Sequence, residues 1–134
     1  MLIANSNSAQ LAERQKLIEF ETKIFEQRLS LIDRAAKIFG KSPGLQDVWT
    51  QYTNRISSTK GKSPTLPAQL VEKLTEAQGE FQSVVFLAQV YFGPNTRAAI
   101  TDMSSIEGPW WKKPKAKQDA LIAAMLSEAS VGLT

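Results

Sequence analysis

AQLAERQKLIEFETKIFEQRLSLIDRAAKIF, residues 9–39, is a run without a glycine or a proline. Within it Leu17, Ile18, Ile24, Phe25, Leu31, Ile32, Ala35 and Phe39 recur with helical spacing, which predicts one long amphipathic helix. Glu19 with Lys23 and Asp33 with Lys37 are favourable pairs four residues apart and add a little helix stability each. Gly40 is the expected C-cap, with Ser42-Pro43-Gly44 as a turn after it. A helix this long decides the fold class, because a partner for its apolar face must come from further helices or from a sheet.

The rest of the chain supplies helices. A short one is expected from about Leu45 to Ser57, burying Val48, Trp49, Tyr52 and Ile56. The segment 57–67, SSTKGKSPTLP, is a polar loop. The next helix is expected from about Pro67 to Phe92, where Gly93-Pro94 stops it. Leu70, Leu74, Ala77 and Phe81 share one face; from Val84 onward this helix is apolar nearly all round, with Phe86, Leu87 and Val90 off the stripe. Such a half is expected to lie at the centre of the domain or to carry an oligomer interface. Asn95 is placed to cap a short helix through Met103, and 115–131 forms a final alanine-rich helix. No segment alternates with period two for long enough to form a strand. The expectation is an all-α single domain over 9–134, a bundle of four or five helices with the first and third longest, behind a loose tail at 1–8.

Composition narrows the function. The chain has 134 residues, 43% of them hydrophobic, with no histidine and no cysteine. That removes disulfides, thiolate chemistry and the imidazole behind most catalytic and metal sites. It fits a reducing, cytoplasmic compartment. Met1–Ala4 leads straight into Asn5-Ser6-Asn7-Ser8, so no signal-peptide core is expected there. The longest apolar run, 84–92, contains Gln89 and is far shorter than the roughly 20 residues of a membrane span. Sixteen basic against thirteen acidic residues give a net charge of +3. Four lysines crowd at Lys112, Lys113, Lys115 and Lys117, and outside that cluster the chain is near neutral. This argues against nucleic-acid binding over the whole surface.

Four constellations invite a chemical reading. Gly40-Lys41-Ser42 and Gly61-Lys62-Ser63 look like the end of a phosphate-binding loop, but the earlier glycine that loop requires is Ala35 in one case and Ile56 in the other. Both read as lysine-bearing turns. Glu72, Glu76 and Glu80 line one helical stripe opposite the Leu70/Leu74/Phe81 face. A di-metal bundle would add histidines, and glycoside hydrolysis needs two carboxylates facing each other across a cleft. A solvated surface is the simpler reading, with an acidic strip for a partner beside it.

Glu21 and Arg28 project into the apolar face of the first helix, among Leu17, Ile24, Phe25, Leu31 and Ile32. A charge buried there needs a partner. The alternatives are a polar contact elsewhere in the chain, an antiparallel contact pairing Glu21 with Arg28 of a second copy, or a ligand site lined by Arg28. Phe25 and Ile32 then belong to the same candidate interface. Trp110-Trp111-Lys112-Lys113-Pro114-Lys115-Ala116-Lys117 mixes aromatic and basic residues. It could stack on single-stranded nucleic acid or sit at a membrane surface. The simpler reading has the tryptophans plugging the end of the bundle, with the lysines in water.

Two segments, Phe25-Glu26-Gln27-Arg28-Leu29 and Tyr91-Phe92-Gly93-Pro94-Asn95-Thr96-Arg97-Ala98, give the chain a resemblance to an uncharacterised family of bacterial helical domains that often follow one or two transmembrane helices. The resemblance covers about a fifth of the chain and implies an all-helical domain; it carries no functional residues. Taken together, the residues point to a non-enzymatic interaction or assembly module without a cofactor, as a homodimer or with another protein partner. The alternative is a binder of nucleic acid or lipid headgroups through Trp110–Lys117.

Overall fold

The computed structural model describes residues 2–58 and 68–133. The polar loop's residues 59–67, with Gly61-Lys62-Ser63, lie outside the described residues. The fold is all-α: α1 Leu2–Gly40, α2 Ser42–Ser58, α3 Ala68–Tyr91, α4 Pro94–Ser104 and α5 Lys115–Glu128, with one turn of 3-10 helix at Trp110–Lys112. No strand occurs among the described residues. None of the described helices is long and apolar enough to cross a membrane.

α1 begins at Leu2, so residues 2–8, expected as a tail, are helical. Asn and Ser there are indifferent helix formers, and no glycine or proline interrupts them. At its other end the helix stops differently from expectation. Gly40 stays right-handed; the positive-φ glycines among the described residues are Gly108 and Gly132. The amide of Lys41 bonds to the carbonyl of Ile38 at 3.0 Å, and the amide of Leu45 bonds to that of Lys41 at 3.1 Å. The chain thus enters α2 after a single turn residue. Pro43 falls in the first turn of α2, where an amide N–H would lack an intrahelical acceptor in any case. The expected turn residues are therefore the start of the helix.

α3 packs along α1 and against α2; α5 packs along α1 and α4. The core gathers Leu31, Ala35 and Ile38 from α1, Leu74, Val84 and Ala88 from α3, Ile100 and Met103 from α4, and Leu121 and Met125 from α5. Ala88 of α3 and Phe92 just after it are buried, whereas Phe81 and Val85 are half-buried and pack against the edge of the core. Phe86 and Val90 are exposed. The apolar half of α3 is thus covered on one side only, because α1 and α4 flank it and the opposite side faces water.

Candidate interaction surface

The two segments behind the family resemblance meet in space. Arg28 Nε donates to the carbonyl of Tyr91 at 2.7 Å, at the end of α3. Its Nη1 donates to the carbonyl of Val131 at 2.7 Å, with longer bonds to those of Ala129 at 3.2 Å and Glu128 at 3.4 Å, all past or at the end of α5. The guanidinium carbon lies 5.9 Å from the centre of the Phe92 ring. Terminal carbonyls of a helix have no intrahelical donor and carry partial negative charge. One arginine therefore closes the ends of two helices. Arg97 adds a second cap, donating to the carbonyl of Gln89 from Nη2 at 3.1 Å.

The carboxylate of Glu128 faces the other way. It accepts the backbone amides of Thr96 at 2.8 Å and Asn95 at 3.1 Å. The N-cap residue of α4 is Gly93, which has no side chain to cap with. Glu128 caps the helix from 32 residues away in sequence, and Asn95, expected as the cap, sits inside α4. Burial pushes the Glu128 carboxyl upward, but hydrogen bonding from Thr96 and Asn95 outweighs that and holds it below the ordinary glutamate value. A Cβ built at Gly93 would lie 2.5 Å from Glu128 Oε2. The φ of Gly93 is −97°, so it is the close approach of the carboxylate that demands glycine here. Gly93→Ala is expected to push the carboxylate off the start of α4 and lower stability by about 1–3 kcal/mol, read from the urea midpoint.

Arg28 is thus satisfied within its own chain. These bonds engage Nε and Nη1, and Arg28 also lines a groove between α1 and the end of α3. The polar contact with carbonyls elsewhere in the chain is the arrangement present. Ile32, expected at an interface, is in the core, and Phe25 is half-buried against it. Glu21 is half-buried too.

The Trp-Trp-basic segment is a plug. Trp110 and Trp111 are 2% and 3% exposed, so neither presents a face for a base or a lipid. Trp110 packs on Phe39 and Phe81 with ring centres 5.7 and 5.6 Å away, and Trp111 packs on Trp49 at 5.8 Å. The indole N–H of Trp110 donates to the carbonyl of Ala77 at 3.1 Å. Ser42 and Gln46 donate to the carbonyl of Trp111 at 3.0 and 2.8 Å. Lys113 donates to the carbonyl of Met103 near the end of α4, and Lys117 pairs with Asp102 at 2.5 Å. Lys117 therefore fastens α4 to α5, and Lys113 fastens α4 to the segment before α5; Lys112 and Lys115 are exposed. Glu72, Glu76 and Glu80 are exposed as expected of a solvated stripe, and Glu80 pairs with Lys41 at 3.3 Å.

Besides Phe86 and Val90 of α3, much of the apolar surface open to a partner lies on α1. Every residue from Asn7 to Phe20 is exposed. Among them Leu11, Leu17, Ile18 and Phe20 show 63%, 50%, 55% and 61% of their surface. Leu17 and Phe20 continue, uncovered, the face that is core at Leu31–Ile38, while Leu11 and Ile18 lie on an adjacent face of the helix. Sequence patterning alone placed Leu17 and Ile18 in a buried face; α3 and α5 end before they reach them. Toward the domain, Phe20 and Ile24 line a groove of about 480 Å³ with Val90 and Tyr91 of α3. A larger groove of about 680 Å³ opens between α1, the start of α2 and α5, lined by Ala36, Phe39, Pro43, Ile122 and Leu126 together with polar residues such as Lys115 and Asp119.

Comparison with protein-family models, with curated proteins and with solved structures gave no match to this chain.

Proposed function

We propose that this protein is a non-enzymatic assembly module that self-associates through the N-terminal half of α1. The observation that carries the reading is the uncovered apolar surface of Leu11, Leu17 and Ile18 on a stretch of helix where every residue from Asn7 to Phe20 is exposed. An isolated helical segment shorter than about 12–15 residues is marginal in water, and most helix stability comes from a packed apolar face. An apolar surface of this size that water covers is the usual mark of an interaction site. The exposed Phe86 and Val90 extend the apolar surface onto α3.

The second reading, an anionic-surface binder, is left with Lys112 and Lys115 as its exposed cations and with no exposed tryptophan in that segment. Self-association is the better supported of the two.

The test is molar mass by light scattering over a concentration series. A dimer is expected for the natural sequence. Ile18→Glu places a charge on that surface and is expected to weaken the dimer by about 10- to 100-fold. Ile18 is more than half exposed, so the helical circular dichroism of the domain should be retained. A monomer at the highest concentration would overturn the proposal.

A further inference from the structure

The exposed apolar residues of α1 follow a pattern that selects a partner. Leu11, Ile18, Leu29 and Ala36 lie within about 20° of one line along the helix at 100° per residue. Their spacings are seven, eleven and seven residues, which is the same read in either direction. All four are exposed. Thr22 and Phe25 fall between them, close to the same line, and keep the symmetry. The centre of the pattern lies between Lys23 and Ile24.

A twofold antiparallel contact requires this symmetry, because each residue must meet its counterpart at equal distance on the other side of the axis. With the axis at that centre, Leu11 faces Ala36 of the second copy, Ile18 faces Leu29, and Thr22 faces Phe25. Ala36 is also a wall of the groove between α1 and α5, where Leu126 is exposed. The exposed stripe and the open groove are therefore about 38 Å apart on one helix, at the separation that brings each to the other across the axis.

We infer that the groove between α1 and α5 is filled by the N-terminal half of α1 from a second copy of the chain, reciprocally, in an antiparallel twofold dimer centred between Lys23 and Ile24. This rests on the self-association proposed above and adds its geometry. The strip covered is about 38 Å long and half a helix circumference wide, roughly 650 Å² on each copy before the α5 wall is counted. With that wall it approaches the roughly 800 Å² per partner of a stable interface. Leu11 and Ile18 of both protruding helices and both grooves are covered at once, Leu17 and Phe20 lie on other faces of the helix, and no end is left to propagate a filament.

The absence of cysteine from the sequence makes the test clean. Leu11→Cys and Ala36→Cys are made separately, one with a mass tag, then mixed and oxidised under mild conditions. Both positions are exposed, so both variants should fold as the natural chain does, which circular dichroism checks. The expected result is a disulfide-linked pair of one Leu11→Cys chain with one Ala36→Cys chain, and little or no link between two Leu11→Cys chains. A dimer by light scattering in which Leu11→Cys chains link to each other means a parallel contact. A dimer in which neither link forms means another face. Either overturns this inference and leaves self-association standing. A monomer by light scattering overturns both.

Discussion

Trp110→Ala is expected to destabilise the domain by about 3–5 kcal/mol, the range for removing a large aromatic side chain from a core. The ring fills the space between Phe39 of α1 and Phe81 of α3 and touches Trp111 at 5.7 Å. Its indole N–H is an extra donor to the carbonyl of Ala77, which lies within α3, so the substitution leaves a cavity and removes a hydrogen bond that the carbonyl makes beyond its helical one. Trp110→Phe separates the two effects: most of the ring survives and the hydrogen bond does not. A cost of about 1–2 kcal/mol is expected there. Chemical denaturation followed by circular dichroism gives both values. A loss below about 1 kcal/mol for the alanine variant would mean that the plug contributes little and that a surface role for the segment should be revived.

The second large effect is at Glu128. It is 4% exposed, and its two oxygens accept the first amides of α4. Glu128→Ala removes the only side-chain cap given to these amides among the described residues and is expected to cost about 2–4 kcal/mol at neutral pH. The pH dependence has a definite sign. Hydrogen bonding holds the folded carboxyl below its ordinary value, so the unfolded chain binds the proton more readily. The stabilisation is complete above the unfolded value of about 4.5 and is lost as the pH falls through the depressed folded value. Glu128→Gln keeps the shape without the charge. The gap in urea midpoint between the natural sequence and Glu128→Gln should be full at neutral pH and should narrow at about pH 3. A gap that does not change with pH would mean that shape, and not charge, holds α4 in place.

The sequence alone determined the fold class and, apart from the start of α1 at Leu2, the helix positions to within a few residues. The reason is local: apolar spacing, long stretches free of glycine and proline, and Gly93-Pro94 after α3 all act within a few residues of chain. The failures at boundaries have the same origin. A Ser-Pro-Gly triplet reads as a turn, but it begins α2 because the first turn of a helix tolerates proline. The simpler reading of the Trp-Trp segment was also legible, since two adjacent tryptophans carry more apolar surface than a small domain leaves in water.

Only the tertiary structure decided what the charged residues do. Arg28 stood out as a charge on an apolar face, yet nothing near it in sequence names its acceptors, which lie 63 to 103 residues away. Glu128, near the end of an alanine-rich helix, gave no signal at all, because its partners are backbone amides and amides leave no mark in a sequence. The close approach that demands glycine at position 93 follows from Glu128 and was hidden with it. The division between the core and the exposed part of α1 was hidden too. The apolar pattern runs through both without a break, and the boundary is set by where α3 and α5 end against it. Periodicity states which face of a helix seeks cover; only the lengths and placement of the neighbouring helices determine how much of that face is left for another molecule.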